Sequence, residues 1–321
     1  MQAATRRVLL VARFGDGVHA HNALRQRALE RLGCEVRVVD LAGGGGLLGR
    51  LRGAVLPGRV RDALRAHRPD LVVAVDADEL APDAIGALRR EHPARWVHWL
   101  CDATRPLARV ADLAVAYDRV FANGADVAAA LDGVGLPPVT LLPPGCDPSV
   151  HRPLRATELF RANVAFVGRA TPRREAMLAG LAGFGLALWG EGWRRTALRD
   201  YCRGEKLDVV DYLRAYAGAT VAVNLHHERE GSDEPGDGLN PRLFELAALG
   251  AAQVVDRRPG LEGCFDPRHE VVAVADAREL RAVVGDLVHA MTAAERLGEA
   301  ARQRALRAHT YMHRMRVVLG A

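Results

Sequence analysis

The chain has 321 residues, 49% hydrophobic and 26% charged, enough apolar material for two soluble domains of ordinary size. Its net charge of +5 is carried almost wholly by arginine, since Lys206 is the only lysine, and no interleaved aromatic and basic motif accompanies it, so nucleic acid is not an expected partner. Five scattered cysteines without a C-x-x-C pair speak against a disulfide or zinc scaffold. No apolar run is long enough to span a bilayer and none opens the chain as a signal segment, so the expected location is cytoplasmic.

Residues 8–12 read as a buried strand, 13–19 as a loop, 22–32 as an amphipathic helix ending at Gly33, and 35–40 as a second strand. This βαβ unit implies a parallel sheet with right-handed crossovers. After four glycines at 43–46 the pattern continues with a basic helix over 47–67, a strand at 71–75, a helix at 82–91 and a strand at 96–100. Two short strands follow at 119–123 and 139–142, making the first half a doubly wound α/β unit. The loop after the first strand has only Gly15 and Gly17 and no G-x-G-x-x-G, which disfavours a nicotinamide dehydrogenase. No G-x-x-x-x-G-K-[ST] occurs, which excludes a P-loop at the level of motif. Asp76-Ala77-Asp78 resembles the D-x-D of metal-dependent sugar transferases, but acidic residues at a strand end ordinarily cap the next helix, and that plainer reading is preferred. His19, His21, His98, Asp102 and Arg105 fall at or just past strand ends, with Gly15 and Asp16 in the first such loop. That edge of an open sheet is where ligands bind.

The proline-dense stretch at 142–153 is the best candidate linker and divides the chain into domains at 1–150 and 151–321. A second βα series follows, with strands at 164–168, 186–190, 221–225 and 271–274, a short helix at 211–216, and helices from 277 to the end, the last of which could cross back to the first domain. Gly168 and Arg169 stand at a strand end with Arg174 five residues on. Guanidiniums suit phosphate because their planar fork binds two oxygens at once. Arg173 and Arg174 also open a helix whose dipole disfavours them, which favours a functional reading. His226-His227-Glu228 lacks a spaced third metal ligand and reads better as loop histidines near a substrate. The most informative stretch is 236–250: Asn240 is an N-cap, Pro241 takes the first helical position, Gly250 follows the last turn, and a strand returns at 251–255. Asp237 and Glu245 flank this helix start, whose free N–H groups suit a phosphate. A nucleoside-diphosphate site is the natural suggestion.

Several pieces in order carry a family resemblance: Phe166-Val167-Gly168 with Arg174, Gly190-Glu191-Gly192-Trp193, Asn224-Leu225-His226, Asn240-x-Arg242-x-Phe244-Glu245 and His309-Thr310-Tyr311-x-x-Arg314. The first half adds Trp99-x-x-Asp102 and Pro144-Gly145-Cys146-Asp147. Together they resemble the CgeB-like spore-maturation glycosyltransferases and, more distantly, the family 4 retaining enzymes. The resemblance implies a GT-B fold, two doubly wound Rossmann-like domains facing across a cleft, with the acceptor side in 1–150 and the donor side in 151–321. It implies a hexosyl transfer from a nucleoside-diphosphate sugar, a UDP-sugar by expectation, to an unspecified acceptor, with no cofactor and no catalytic metal. By position, Asp237 and Glu245 match the family's E-x7-E pair, Glu245 binding the ribose hydroxyls and Asp237 lying by the donor sugar. Arg169 and Arg174 match the cations that hold the diphosphate. Gly168, Gly190, Gly238, Leu239, Asn240, Arg242 and His226 line the donor side, Asp102 stands in for a donor-contacting histidine, and Gly15, Asp16, His19 and His98 fall on the acceptor side. Asp for Glu at 237 and Arg for Lys at 174 leave stereochemistry open. A nucleotide-sugar epimerase of the same shape and a non-catalytic nucleotide-sugar-binding subunit are the alternatives.

Overall fold

The computed structural model describes residues 5–15, 21–41, 52–101, 107–132, 138–228 and 238–320. Asp16, His19, Asp102, Arg105 and Asp237 lie outside the described residues. The first half alternates β1 (Arg7–Ala12), α1 (His21–Arg31), β2 (Glu35–Asp40), α2 (Arg52–His67), β3 (Leu71–Val75), α3 (Pro82–Glu91), β4 (Arg95–Leu100), α4 (Leu107–Ala114), β5 (Arg119–Ala122), α5 (Ala125–Asp132) and β6 (Val139–Leu141). The second half runs β7 (Ala162–Val167), α6 (Pro172–Leu178), β8 (Leu186–Trp189), β9 (Cys202–Gly204), α7 (Val209–Ala217), β10 (Ala219–Asn224), α8 (Pro241–Leu249), β11 (Gln253–Asp256), β12 (Val272–Val274), α9 (Ala277–His289), α10 (Met291–Ala308) and α11 (Tyr311–Leu319).

Two parallel six-stranded sheets result, ordered β2-β1-β3-β4-β5-β6 and β12-β11-β10-β7-β8-β9. Strands β1, β3 and β4 are buried along nearly their whole length, as continuous Val/Leu runs in an all-parallel sheet require. The order reverses between β1 and β3 in the first sheet and between β7 and β10 in the second. Such switch points open a crevice at the carboxyl ends of the strands. Short elements without periodic signal, α4, α5 and β9, escape the sequence reading, since three to eight residues are too few to show a period.

Helix α11 returns to the first sheet, where Tyr311, Met315 and Val318 join Leu24 and Leu29 of α1 and Val8, Leu10 and Trp99 of the strands in one core. The return is bolted to the linker. Arg314 is buried and donates to the carbonyls of Pro143 and Pro144 at 2.8 and 2.9 Å, to Ala308 O and to His309 Nδ1. Cys146 and Thr310 form an isolated parallel bridge beside it. Gly145 is required there, because a Cβ would stand 2.8 Å from His309 O.

His309 accepts from Arg314 at Nδ1 and donates from Nε2 to Cys264 O at 2.7 Å, so the ring is neutral. Burial, and then the Arg314 charge, hold its pKa down to about 4. A folded value below the unfolded one near 6.5 gives stability that is complete above pH 6.5 and lost as pH falls through 4. Between pH 7.5 and 5.0 this group is expected to withdraw about 1–2 kcal/mol. Urea melts of the wild type and His309→Gln should show a smaller pH dependence in the variant; identical slopes would contradict the assignment.

Candidate active site

The crevice of the second sheet is built by three strand ends. After β7 the chain turns at Gly168, whose N–H donates to Trp189 O at 2.8 Å and whose carbonyl accepts Trp193 Nε1 at 2.7 Å. After β8 comes Gly190, at φ +136°, where a Cβ would overlap the Gly168 carbonyl. The two turns are thus pressed together backbone to backbone, which only glycine permits. After β10 come Leu225, His226 and His227.

Arg174 spans the gap between the β7 and β10 ends. Thr171 caps α6 by accepting the Arg174 N–H at 3.2 Å, and the Arg174 guanidinium donates to Arg169 O at 3.0 Å, Leu225 O at 3.1 Å and His227 Nδ1 at 3.2 Å. It is 0% exposed, so it is a structural clamp and a fixed charge, with its terminal nitrogens already directed at protein acceptors. Burial, and then repulsion by Arg242, lower its pKa to about 10, and burial followed by the Arg174 and Arg242 charges lowers that of His227 to about 4, which leaves the ring neutral. Arg169, one strand-end residue away, is exposed. Arg173 pairs with Asp256 at 2.6 Å, as does Arg258 at 2.9 Å. His226 is buried with Nδ1 2.7 Å from Asp256 Oδ1, which also accepts the His226 N–H. Asp256 is consequently held far below the usual carboxylate range against the cost of its burial, by His226 and then by the two arginines.

Helix α8 starts as its sequence dictates. Asn240 accepts the Leu243 N–H at 3.0 Å and exchanges amide hydrogen bonds with Asn224, which is tied in turn to Gln253. Gly250 ends the helix at φ +82°. Because Pro241 has no N–H and the Leu243 N–H is taken by the cap, an anion here would meet the amides of the preceding loop together with Arg242. That loop touches the first sheet. Gly238 forms an antiparallel bridge with Gly124, and Asn123 Nδ2 donates both to Leu239 O and to Cys101 O, each at 2.9 Å.

Glu245 is 6% exposed and its Oε2 accepts the Tyr212 hydroxyl at 2.8 Å. Its Oε1 faces His21 Nδ1 at 3.5 Å, from α1, and His151 Nε2 at 3.8 Å, from the linker. The Asp147 N–H donates to His151 Nδ1 at 3.0 Å, which leaves the ring proton on Nε2, toward the carboxylate. Burial pushes the Glu245 pKa up, but His151, His21, the Tyr212 hydroxyl and Arg242 outweigh it and the net shift is downward. Arg242 is half-buried, with its guanidinium 5.8 to 5.9 Å from the ring centres of Phe166, Tyr212 and Tyr216. Arg174 stands 5.5 Å from the same Phe166 ring. Among the described residues neither arginine has a carboxylate within salt-bridge distance.

The strand ends therefore bring together Gly168, Arg169, Arg174, Gly190, His226, Gly238, Leu239, Asn240, Arg242 and Glu245. His98 is placed differently. It lies inside β4, 0% exposed and stacked on Tyr117 at 4.6 Å, because this strand is buried on both faces, which the sequence does not signal. Gly15 is exposed beyond β1, at the carboxyl edge of the first sheet. Asp76 adopts φ +46° and its Oδ1 accepts the Cys101 N–H at 2.9 Å, at the end of the neighbouring strand; it does not cap α3, whose N-cap is Ala81 without a side-chain hydrogen bond. Among the described residues no three His, Cys, Asp or Glu side chains are grouped as a metal ion would need. Tyr212, His151 and Asn123 are contacts that sequence reasoning missed. Each acts on a residue between 33 and 116 positions distant, and no local pattern marks such a pair.

Residues 173–320 match the family model described as "Glycosyl transferase-like". Solved structures similar to the chain over its whole length include sucrose-phosphate synthase from Thermosynechococcus elongatus, at 15% identity, 98% coverage of both chains and TM-score 0.72. Anabaena Alr3699/HepE in complex with UDP and glucose aligns at 15% identity, 98% coverage of both chains and TM-score 0.68. The lipopolysaccharide outer core galactosyltransferase WaaB aligns at 10% identity, covering 98% of this chain and 99% of its own, with TM-score 0.62. The fold is the GT-B fold of glycosyltransferases. No curated protein sequence matches the chain.

The pressed turns of the site give a direct check. Gly190→Ala must move the Gly168 carbonyl and hold a Cβ at positive φ, an expected loss of about 2–5 kcal/mol. Chemical denaturation that found the variant as stable as the wild type would contradict the close approach.

Proposed function

We propose that the protein is a glycosyltransferase that moves a hexosyl group from a nucleoside-diphosphate sugar, a UDP-sugar in the first instance, to an acceptor bound at the edge of the first sheet. The observation that carries this reading is the pairing of buried Arg174 with half-buried Arg242, neither with a carboxylate at salt-bridge distance among the described residues, set where α8 begins at the second sheet's switch point. Two guanidiniums gathered in a low-dielectric crevice attract a dianion. HepE, similar in fold, was solved with UDP and glucose, which favours the same donor class here.

In this reading the diphosphate lies between Arg169, which is exposed and unclamped by the turns, and the amides of residues 238–240, with Arg174 and Arg242 supplying charge from behind. Charge building on the leaving phosphate is then met by dipoles and cations already in place. Glu245 takes the ribose hydroxyls through Oε1, displacing His21, so donor entry acts on a contact between the two halves. By the resemblance, Asp237 acts by the donor sugar and Asp102 takes the part of the donor-contacting histidine, and closure about residues 143–153 excludes water. Transfer proceeds without a catalytic metal and with retention, in the manner of the family 4 retaining enzymes. The residue division at 150/151 separates acceptor from donor roles, with α11 packed on the acceptor half.

Glu245→Ala is expected to weaken UDP or GDP about tenfold or more in calorimetry; unchanged affinity would remove the ribose role. Turnover is expected to survive a chelator, and its loss would overturn the metal-free assignment. Consumption of donor only when acceptor is present distinguishes transfer from epimerisation.

A further inference from the structure

The two charged side chains that α8 turns toward the crevice, Arg242 and Glu245, stand three positions apart and therefore share one face of the helix. Both are held by one hydroxyl. Tyr212, from α7, donates to Glu245 Oε2 at 2.8 Å and accepts from Arg242 Nε at 3.4 Å. A phenol has a single proton, and with the carboxylate taking it, a lone pair is left for the guanidinium. Burial, and then the Glu245 charge, raise the Tyr212 pKa well above its usual value, so the proton stays on this oxygen at any working pH.

The tyrosine is itself anchored to the switch point. Its ring meets Tyr216 edge-on at 5.3 Å and 81°, and the Tyr216 hydroxyl accepts the Val167 N–H at 3.0 Å, at the end of β7, and lies 3.5 Å from Val223 O in β10. The chain of contacts therefore runs from the two central strands through Tyr216 and Tyr212 to the α8 face. With Oε2 engaged by Tyr212, the carboxylate presents Oε1 to the space shared with His21 and His151.

We infer that Tyr212 is a positioning residue for nucleotide recognition, orienting Glu245 so that its second oxygen, Oε1, reads the ribose hydroxyls and steadying Arg242 beside the diphosphate. This rests on the donor-site reading of Glu245 above. Tyr212 touches neither phosphate nor sugar; its effect passes through the two α8 side chains. Removing the hydroxyl should loosen the ribose readout while leaving the α7 packing in place, since phenylalanine preserves the ring contact with Tyr216.

The test is calorimetric titration of the full chain and of Tyr212→Phe, Glu245→Gln and the double variant with UDP, GDP and ADP, each beside its 2′-deoxy counterpart. The wild type is expected to prefer the ribonucleotide, Glu245→Gln to lose the preference, and Tyr212→Phe to reduce it about fivefold. The double variant should fall no further than Glu245→Gln, because both changes act through the same carboxylate. A melting temperature lowered by no more than about 2–4 °C would mark Tyr212→Phe as folded. If Glu245→Gln abolishes the preference while folded Tyr212→Phe retains it in full, the positioning role is overturned and the ribose role of Glu245 stands. If Glu245→Gln leaves the preference intact, the ribose role fails and the positioning role with it. Should Tyr212→Phe not fold, additivity of Tyr212→Trp with Glu245→Gln would overturn the proposal, and non-additivity would support it.

Discussion

A single buried guanidinium holds the crevice proposed as the donor site. Arg174 joins the turn after β7 to the turn after β10, the two strands between which the second sheet reverses its order. Burying a cation is costly unless its donors are met, and here both terminal nitrogens reach protein acceptors. Removing the side chain would strand the buried Leu225 carbonyl, at about 1–3 kcal/mol, and release the two turns from one another. Among the described residues no carboxylate makes a salt bridge with Arg174. With Arg242 over the same Phe166 ring, it gives the start of α8 a positive field that a helix N-terminus alone would not have.

The two halves meet through the same helix. Its leading loop pairs with the first sheet through Gly124 and Asn123, and its Glu245 faces His21 and His151. Behind, Arg314 ties α11 to the carbonyls of Pro143 and Pro144, so the chain that leaves the first sheet and the helix that returns to it are fastened at one point. Anything that enters beside Glu245 therefore acts on contacts between the sheets as well as within the second.

Much of this was legible in local patterns. The Asn240-Pro241 start and Gly250 end of α8 follow from capping chemistry, and the βα alternation from period alone. The glycines at 168 and 190 stand where strand ends approach, and their close contact explains why no side chain fits at 190. What was not legible is burial and distant pairing. Arg174 reads as a phosphate ligand and is instead buried in a clamp, while Arg169 remains exposed. His98 sits near a strand end but turns into a sheet covered on both faces, against Tyr117. Tyr212 could not be singled out, because its meaning lies in a carboxylate 33 residues away.

The most direct measurement is a crystal structure of the protein soaked with UDP. The diphosphate is expected against Arg169 and the amides of residues 238–240, with the ribose within hydrogen-bond distance of Glu245. A nucleotide bound at another surface, with this crevice left empty at saturating UDP, would contradict the assignment of the second sheet's switch point as the donor site.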